Sequence, residues 1–332
     1  MRFAYYEEYD YHTEIMGFLL DYCIENNHEC DYFNDKDQSY FFEHYENKFK
    51  DLKVKRYKNI ELRNKIDDYD YIVIGTMGHS GLIDDLIEPS KFLQVYHNND
   101  DLDKVHKTLE SYSNEYKKIV LTPLNQKVGP YLLPIFKSPN NQRPDQIKDK
   151  IVTMVGRFTN NRSYETLLPL LNFEYTIWII ARKPKFVPKP LINLSLNNTK
   201  LKIFYKLNAQ KMSELLAKSR YILCVAEENS WYYKDRLTGT IPLSYNYDLP
   251  ILIPSNLNKI YGMTGAVEYK QPENIPDLIK TIDSEPGKYT TLVQNLINQK
   301  TQIVEHNHNL LNNIFKAGPV PTIATVPIPD RQ

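Results

Sequence analysis

The chain has few cysteines, no charge bias and no long apolar run, and each absence narrows what it can be. Only Cys23, Cys30 and Cys224 occur among 332 residues. The number is odd and no pair has CxxC spacing, which argues against a disulfide framework and against a zinc site. Lys plus Arg and Asp plus Glu each number 41, so no net field draws the chain to a polyanion or an anionic membrane. Nucleic acid is disfavoured as a partner on that ground, although a local basic groove stays open. No apolar run approaches the ~20 residues of a membrane span. The opening MRFAYYEEYDYH is polar and acidic and lacks the basic-then-apolar pattern of a leader. Sequons at Asn161, Asn193 and Asn197 are therefore expected to be unused, and a cytoplasmic protein is expected. No solenoid period is visible.

Tyrosine, by contrast, is abundant, with 26 copies. Its large area and hydroxyl suit polar ligands such as sugars, though half-buried strands use it equally. Short apolar runs alternate with amphipathic ones along the chain. Arg2–Tyr6, Cys30–Phe33, Tyr71–Ile74, Phe92–Tyr96 and Lys118–Leu121 read as strands. Glu14–Ile24 carries a helical stripe, and Ile60–Ile66 reads as helix. KSPNNQRPDQIKDK, Lys137–Lys150, has two prolines and no core pattern, and reads as a linker. Beyond it strands are expected at Ile151–Val155, Tyr175–Ala181, Leu201–Tyr205, Tyr221–Val225 and Pro250–Ile253. Helices are expected at Tyr164–Leu171, Ala209–Ser219, Leu237–Tyr245 and Ile275–Ile282, with one or two more between Tyr289 and Phe315. This alternation predicts two α/β domains with parallel sheets. The expected organisation is a domain over 1–140, a linker over 141–150, a second domain over 151–285, helices over 286–316 and an extended tail over 317–332.

Val155-Gly156-Arg157-Phe158-Thr159-Asn160-Asn161-Arg162 is the most informative stretch. It lies between an expected strand and an expected helix. Glycine permits a tight turn and close backbone approach. A helix start offers free N–H groups to an anion, and the arginines five residues apart can each fork onto phosphate oxygens. Such a loop could hold a diphosphate; alone, it also reads as an ordinary loop with two solvated arginines. Cys224–Pro254 is the second. A strand ends at Val225, an acidic and aromatic loop follows, and a helix opens near Thr238-Gly239-Thr240, the parts of an anion nest. Glu227, Glu228 and Asp235 could accept hydrogen bonds from sugar hydroxyls. The competing reading is a solvated loop with Thr238 as an ordinary N-cap.

On these residues the second half resembles the nucleotide-binding domain of GT-B glycosyltransferases. That family ends the domain's first strand in Gly-Arg with Lys or Arg five residues later, and Arg157 and Arg162 match. Leu216–Val225 resembles its next helix and strand, and Asp248-Leu249-Pro250-Ile251-Leu252 its Gly-Lys-Pro-Val-Ile-like strand. Asn27-His28-Glu29-Cys30 is similar to the Gly-His-Glu-Val before the second strand of many members. The resemblance covers roughly residues 1–283 and is strongest over 151–254. Two departures stand out. Leu243 and Ser244 occupy the region where many members carry a ribose-gripping glutamate. The loop Glu7-Glu8-Tyr9-Asp10-Tyr11-His12 lacks the glycines common after the first strand.

The resemblance implies the α/β fold class in its GT-B form, two Rossmann-like doubly wound domains facing a central cleft. It implies a hexosyltransferase-type glycosyltransferase taking a UDP- or GDP-sugar as donor, with a glycan, protein or small molecule as acceptor. Gly156, Arg157, Arg162, Tyr205, Glu228, Asp235, Thr238, Gly239 and Thr240 would bind the donor. His97, at the end of the strand Phe92–Tyr96, would be the catalytic base, with His79 its rival. No metal or other cofactor is expected, because cations and helix ends can take the diphosphate charge. Asp68-Tyr69-Asp70 and Asp101-Leu102-Asp103 match the DxD metal pattern, but the first precedes its strand and both read as solvated turns. His306-Asn307-His308 lies in an expected helix, where i and i+2 point apart. The alternatives are a nucleotide-sugar 2-epimerase-like isomerase, a catalytically inactive nucleotide-sugar-binding protein, and a transferase that uses DNA as acceptor.

Overall fold

Two six-stranded sheets, every neighbouring pair parallel, organise the chain. The computed structural model describes residues 1–8, 13–35, 49, 52, 54–76, 89–97, 117–137, 149–158 and 162–316. They divide into two units, one built from residues up to Lys137 together with 303–316, the other from 149–302. The first sheet holds β1 (Arg2–Glu7), β2 (Glu29–Phe33), β3 (Arg56–Tyr57), β4 (Tyr71–Thr76), β5 (Phe92–Tyr96) and β6 (Lys117–Val120), in the order β3-β2-β1-β4-β5-β6. The second holds β7 (Ile151–Val155), β8 (Thr176–Ala181), β9 (Leu201–Tyr205), β10 (Tyr221–Leu223), β11 (Ile251–Pro254) and β12 (Ala266–Tyr269), in the order β12-β11-β10-β7-β8-β9. Counted from the first strand of each, both follow the doubly wound order 3-2-1-4-5-6.

The strands are runs rather than alternations because both faces are covered. Phe92, Leu93, Val95 and Tyr96 of β5 are all buried, as are Ile177, Trp178, Ile179, Ile180 and Ala181 of β8. The first helix, α1 (Gly17–Glu25), follows a 3-10 turn over Thr13–Met16. Two residues beyond its end comes Asn27, whose φ of 52° is left-handed, a conformation asparagine tolerates. The expected helix at Ile60–Ile66 is instead 3-10, Asn59–Asn64. Likewise Tyr164–Leu171 is a 3-10 turn, Tyr164–Leu167, running into one α-turn, α2 (Leu168–Leu171), with Pro169 at its start.

Four elements escape the sequence reading. Helix α3 (Lys189–Asn197) hides among the prolines 184, 188 and 190, which look like loop but are tolerated in a first helical turn. Helices α4 (Ala209–Lys218) and α5 (Thr240–Asn246) are where expected, and α5 starts three residues late. Helix α6 (Ser255–Tyr261), missed, is closed by Gly262 at φ 60°. Strand β3 was missed because two residues carry no readable period, and β12 because Glu268 interrupts its apolar run. After α7 (Ile275–Ser284), the two C-terminal helix options resolve into one 29-residue helix, α8 (Lys288–Lys316).

Helix α8 contributes to both units. In the second, Lys300 pairs with buried Asp248 at 3.0 Å, and Tyr245 donates to Gln299 at 2.8 Å. In the first, Asn307 donates to the Leu133 carbonyl at 2.7 Å, His308 contacts Asp21 at 3.0 Å, and Tyr22 donates to Asn312 at 3.1 Å. Phe315 packs edge-on against Phe3, with ring centroids 4.8 Å apart.

A polar cluster lies at the amino edge of the second sheet, beside the buried Tyr221 hydroxyl, which has no partner among the described residues. Asp283 of α7 accepts from Arg220 Nε and Nη2 at 3.1 and 2.9 Å, and from the Tyr175 hydroxyl at 2.6 Å. The Arg220 guanidinium lies 3.9 Å from the Tyr289 ring. Burial, then the Asp283 carboxylate, pushes the Tyr175 phenol up, so it stays a donor. Asp283→Ala should therefore strand a guanidinium and a phenol together, and lower stability by about 2–3 kcal/mol in urea denaturation. A loss under about 0.5 kcal/mol would show that the cluster is only surface decoration.

Candidate functional site

In a doubly wound sheet the loops leave the carboxyl ends of the strands in opposite directions at the point where strand order reverses, and ligands bind there. In the second sheet that point lies between β7 and β10. The loop after β7 begins with Gly156, at φ 127°, a region open to glycine. Its N–H donates to the Ile180 carbonyl at 2.9 Å. A side chain there would fall on Arg162 Nη1. Arg162 thus folds back beneath the turn that carries it.

Arg162 is 8% exposed. Nη1 donates to the Val155 carbonyl at 3.3 Å, and Nη2 to Thr238 Oγ1 at 3.1 Å. The Tyr232 ring covers the guanidinium at 5.1 Å. One arginine therefore joins the end of β7 to the loop after β10, across the switch point. A second tie runs in parallel: the Ser163 N–H donates to Glu227 Oε1 at 3.0 Å. Neither tie carries a sequence signal, because the partners lie 76 and 64 residues apart. Arg157 differs from Arg162. It is exposed, with its guanidinium 6.0 Å from the Phe186 ring.

Buried polar atoms without partners gather at this edge. Arg162 Nε, Ser230 Oγ and the Tyr233 hydroxyl have no hydrogen-bond partner among the described residues. Burial pushes the Tyr233 phenol up to about 12, helped by Cys224, Glu228 and Glu227, so it is a proton donor at neutral pH. An unmet buried polar group costs about 1–3 kcal/mol. Three together are a noticeable fraction of the ~5–15 kcal/mol that holds a domain folded. Such groups call for an explanation, of which a polar ligand is one. Beside them the Cys224 thiol is pushed up to about 12 by burial, against the pull of the Arg162 charge, and stays neutral.

The remaining expected donor residues divide. Thr238 is fully buried and is not an N-cap. Its hydroxyl accepts from Arg162, and the N-cap of α5 is Gly239, with no side-chain cap. Thr240 opens α5, and its hydroxyl lies 3.4 Å from that of Thr238. Glu228 is exposed, and its Oε1 accepts from Asn256 at 3.3 Å. Asp235 is buried, 3.8 Å from Arg236 Nε. Ser244, where the family's ribose contact would fall, is buried and donates to the Leu249 carbonyl at 2.6 Å. Tyr205 is not brought to the switch point. It ends the edge strand β9, two strands from β7, against the hydrophobic core.

In the first sheet the switch point lies between β1 and β4. Glu7, fully buried, ends β1, and Gly75 is the penultimate residue of β4. His97, just after β5, donates from Nε2 to the Gly75 carbonyl at 2.7 Å. His79 and Asp101-Leu102-Asp103 lie outside the described residues. Asp70 serves the opposite, amino edge, where its carboxylate accepts the Arg2 N–H at 2.7 Å. Among the described residues no group of three or more His, Cys, Asp or Glu is placed to hold a metal ion. No described helix is long and apolar enough to cross a membrane.

No family model matches the chain, and no curated protein matches it in sequence. Solved structures match by fold. Anabaena Alr3699/HepE in complex with UDP and glucose shares 11% identity at a TM-score of 0.66, over 96% of this chain and 100% of that one. An alpha-glucosyltransferase in complex with UDP and a 13-mer DNA containing a HMU base shares 12% at 0.67, over 96% and 100%. A mutant of T4 phage BGT in complex with UDP-glucose shares 10% at 0.59, over 96% and 100%. At such identities the likeness is one of fold, and it bears out the GT-B fold expected from the sequence.

Gly156 offers a direct check on the switch point. Gly156→Ala should cost about 1–2 kcal/mol in backbone strain and in addition displace Arg162. Gly262→Ala is the control, since Gly262 also has a positive φ but has nothing within 4 Å of an added side chain. Only the Gly156 variant should lose nucleotide binding in a thermal-shift assay. Equal behaviour of the two would mean that the packing on Arg162 does not matter.

Proposed function

We propose that the protein is a glycosyltransferase that moves a hexose from a UDP-sugar to a hydroxyl acceptor. The observation that carries this reading is the concentration of unpaired polar groups at the second sheet's switch point, Arg162, Ser230 and Tyr233, with Arg157 exposed on the loop after β7. The matching folds that hold UDP, with glucose or as UDP-glucose, favour the same donor class. Neither the epimerase-like reading nor the inactive binding protein has a comparable observation in its favour.

In this reading Arg157, the exposed cation, touches the diphosphate. Arg162 keeps its charge beneath the turn and fixes the loop that presents Arg157. The N–H groups at Gly239 and Thr240 add donors, and Glu228 or Asp235 orients the sugar hydroxyls. The bond from the sugar's anomeric carbon to the diphosphate oxygen breaks, and the electron pair leaves with the UDP. A new bond forms from the acceptor oxygen to the anomeric carbon, and the acceptor proton passes to His97. Positive charge near the leaving group acts most where negative charge grows, in the transition state. The acceptor is a glycan, a protein or a small molecule. A DNA carrying the HMU base belongs in the acceptor panel, because one matching fold was solved with it.

Titration should separate the two arginines. Arg157→Ala should weaken UDP by about ten- to a hundredfold, the scale of a lost charge-assisted bond at ~1.5–3 kcal/mol, and leave uridine nearly unchanged. Arg162→Ala should weaken both ligands and also lower the melting temperature, as expected of a strut. If Arg157→Ala weakens uridine as much as UDP, its phosphate role is wrong.

Activity should survive EDTA, because side-chain cations and backbone N–H groups take the diphosphate charge in this reading. Complete loss restored by manganese would instead bring Asp101-Leu102-Asp103 forward as a metal site.

A further inference from the structure

The first sheet's switch point carries an arrangement that fixes the state of His97. Gly75 has no room for a side chain. An added Cβ would fall on the Tyr5 hydroxyl and lie 2.7 Å from both Glu7 Oε2 and the Tyr5 ring carbon that bears the hydroxyl. Tyr5 and Glu7 are both fully buried on β1, the strand paired with β4 across the switch point. They cannot retreat toward solvent, so glycine is required at residue 75 and the local backbone path is held from one side. On the other side the Gly75 carbonyl receives His97 Nε2 at 2.7 Å. A carbonyl oxygen has no hydrogen to give, so Nε2 bears the proton. Nδ1 is then the nitrogen able to take one up.

We propose that Tyr5, Glu7 and Gly75 are positioning residues that lock His97 as its Nε2–H tautomer, so that the acceptor proton is delivered to Nδ1. The proposal rests on the reading of His97 as the base. It assigns roles to three residues that do not touch substrate. When the acceptor hydroxyl attacks, its proton bonds to Nδ1 and the imidazole becomes an imidazolium. The hydrogen bond from Nε2 to the Gly75 carbonyl strengthens as that charge appears. A ring turned the other way would present Nδ1 to the carbonyl and aim the wrong nitrogen.

Nitrogen NMR on protein labelled at histidine tests this without any turnover. The His97 signals are identified by their loss in His97→Gln. At about pH 8.5, well above the ordinary histidine range, wild-type His97 should show a directly bonded Nε2–H cross-peak, slow to exchange with water. Gly75→Ala should lose that peak, and the two tautomers should mix. Its kcat should fall about tenfold or more, up to the ~10²–10⁴-fold a general base contributes, while the donor KM should move less than about twofold. An Nδ1–H signal from wild-type His97 overturns the proposal. So does a lost peak with unchanged kcat. If Gly75→Ala does not fold, the other histidine signals report it, and the wild-type spectrum decides the tautomer alone. If no donor is turned over, the transferase reading falls while the tautomer stands or fails on its spectrum.

Discussion

Covering both faces of a parallel sheet leaves the strand ends as the only places where backbone and side chains can meet a ligand. Everything distinctive about this chain follows from that constraint, applied twice. The strands spend their side chains on the core, and their N–H and C=O groups on each other. Polar side chains that must reach something are pushed to the loops. The amino and carboxyl edges of the second sheet then differ in degree. At the amino edge Asp283, Arg220 and Tyr175 satisfy one another. At the carboxyl edge Arg162, Ser230 and Tyr233 each keep an atom unmet. Unmet atoms are more numerous at the carboxyl edge, the one that the strand order marks, than at the amino edge, where the Tyr221 hydroxyl is unmet.

Arg162 shows how a binding edge can be rigid before any ligand arrives. Its two Nη groups hold the ends of the switch point together, and Gly156 makes room for them. A loop held in this way has already lost the freedom that binding would otherwise have to remove. The same device recurs on the first sheet with different chemistry. There Gly75 yields its side-chain space to Tyr5 and Glu7, and its carbonyl holds His97. In each sheet a glycine at a strand end allows a polar group from elsewhere to pack against the backbone.

The architecture was legible in the sequence because buried parallel strands are written as apolar runs. Phe92–Tyr96, Ile151–Val155 and Leu201–Tyr205 match their strands residue for residue. What escaped was too short to show a period, as with β3, or interrupted by a charge, as with β12 at Glu268, or masked by residues with two meanings. The prolines at the start of α3 read as loop punctuation yet suit a first helical turn. The site was legible as a set of loops rather than as a geometry. Arg157 and Arg162 stood out by spacing, but nothing local says that Arg162 turns inward to Thr238. Thr238 read as part of an anion nest, with an ordinary cap as the competing reading, and only the fold shows its hydroxyl already taken by the arginine. The contacts that decide these roles span 76 residues for Arg162 and 22 for His97, beyond the reach of any pattern read along the chain.

Helix α8 has a consequence for the order in which the protein is made. The first sheet is complete in sequence by Val120, yet the unit built on it also requires Asn307, His308, Asn312 and Phe315 from the far end of the chain. As synthesis proceeds from the amino terminus, the second unit can gather its strands while the first still lacks a piece of its covering layer. The half that is begun earliest is therefore the half that is finished last. Until the final turns of α8 emerge, the rings of Phe3 and Tyr22 have no Phe315 to pack against.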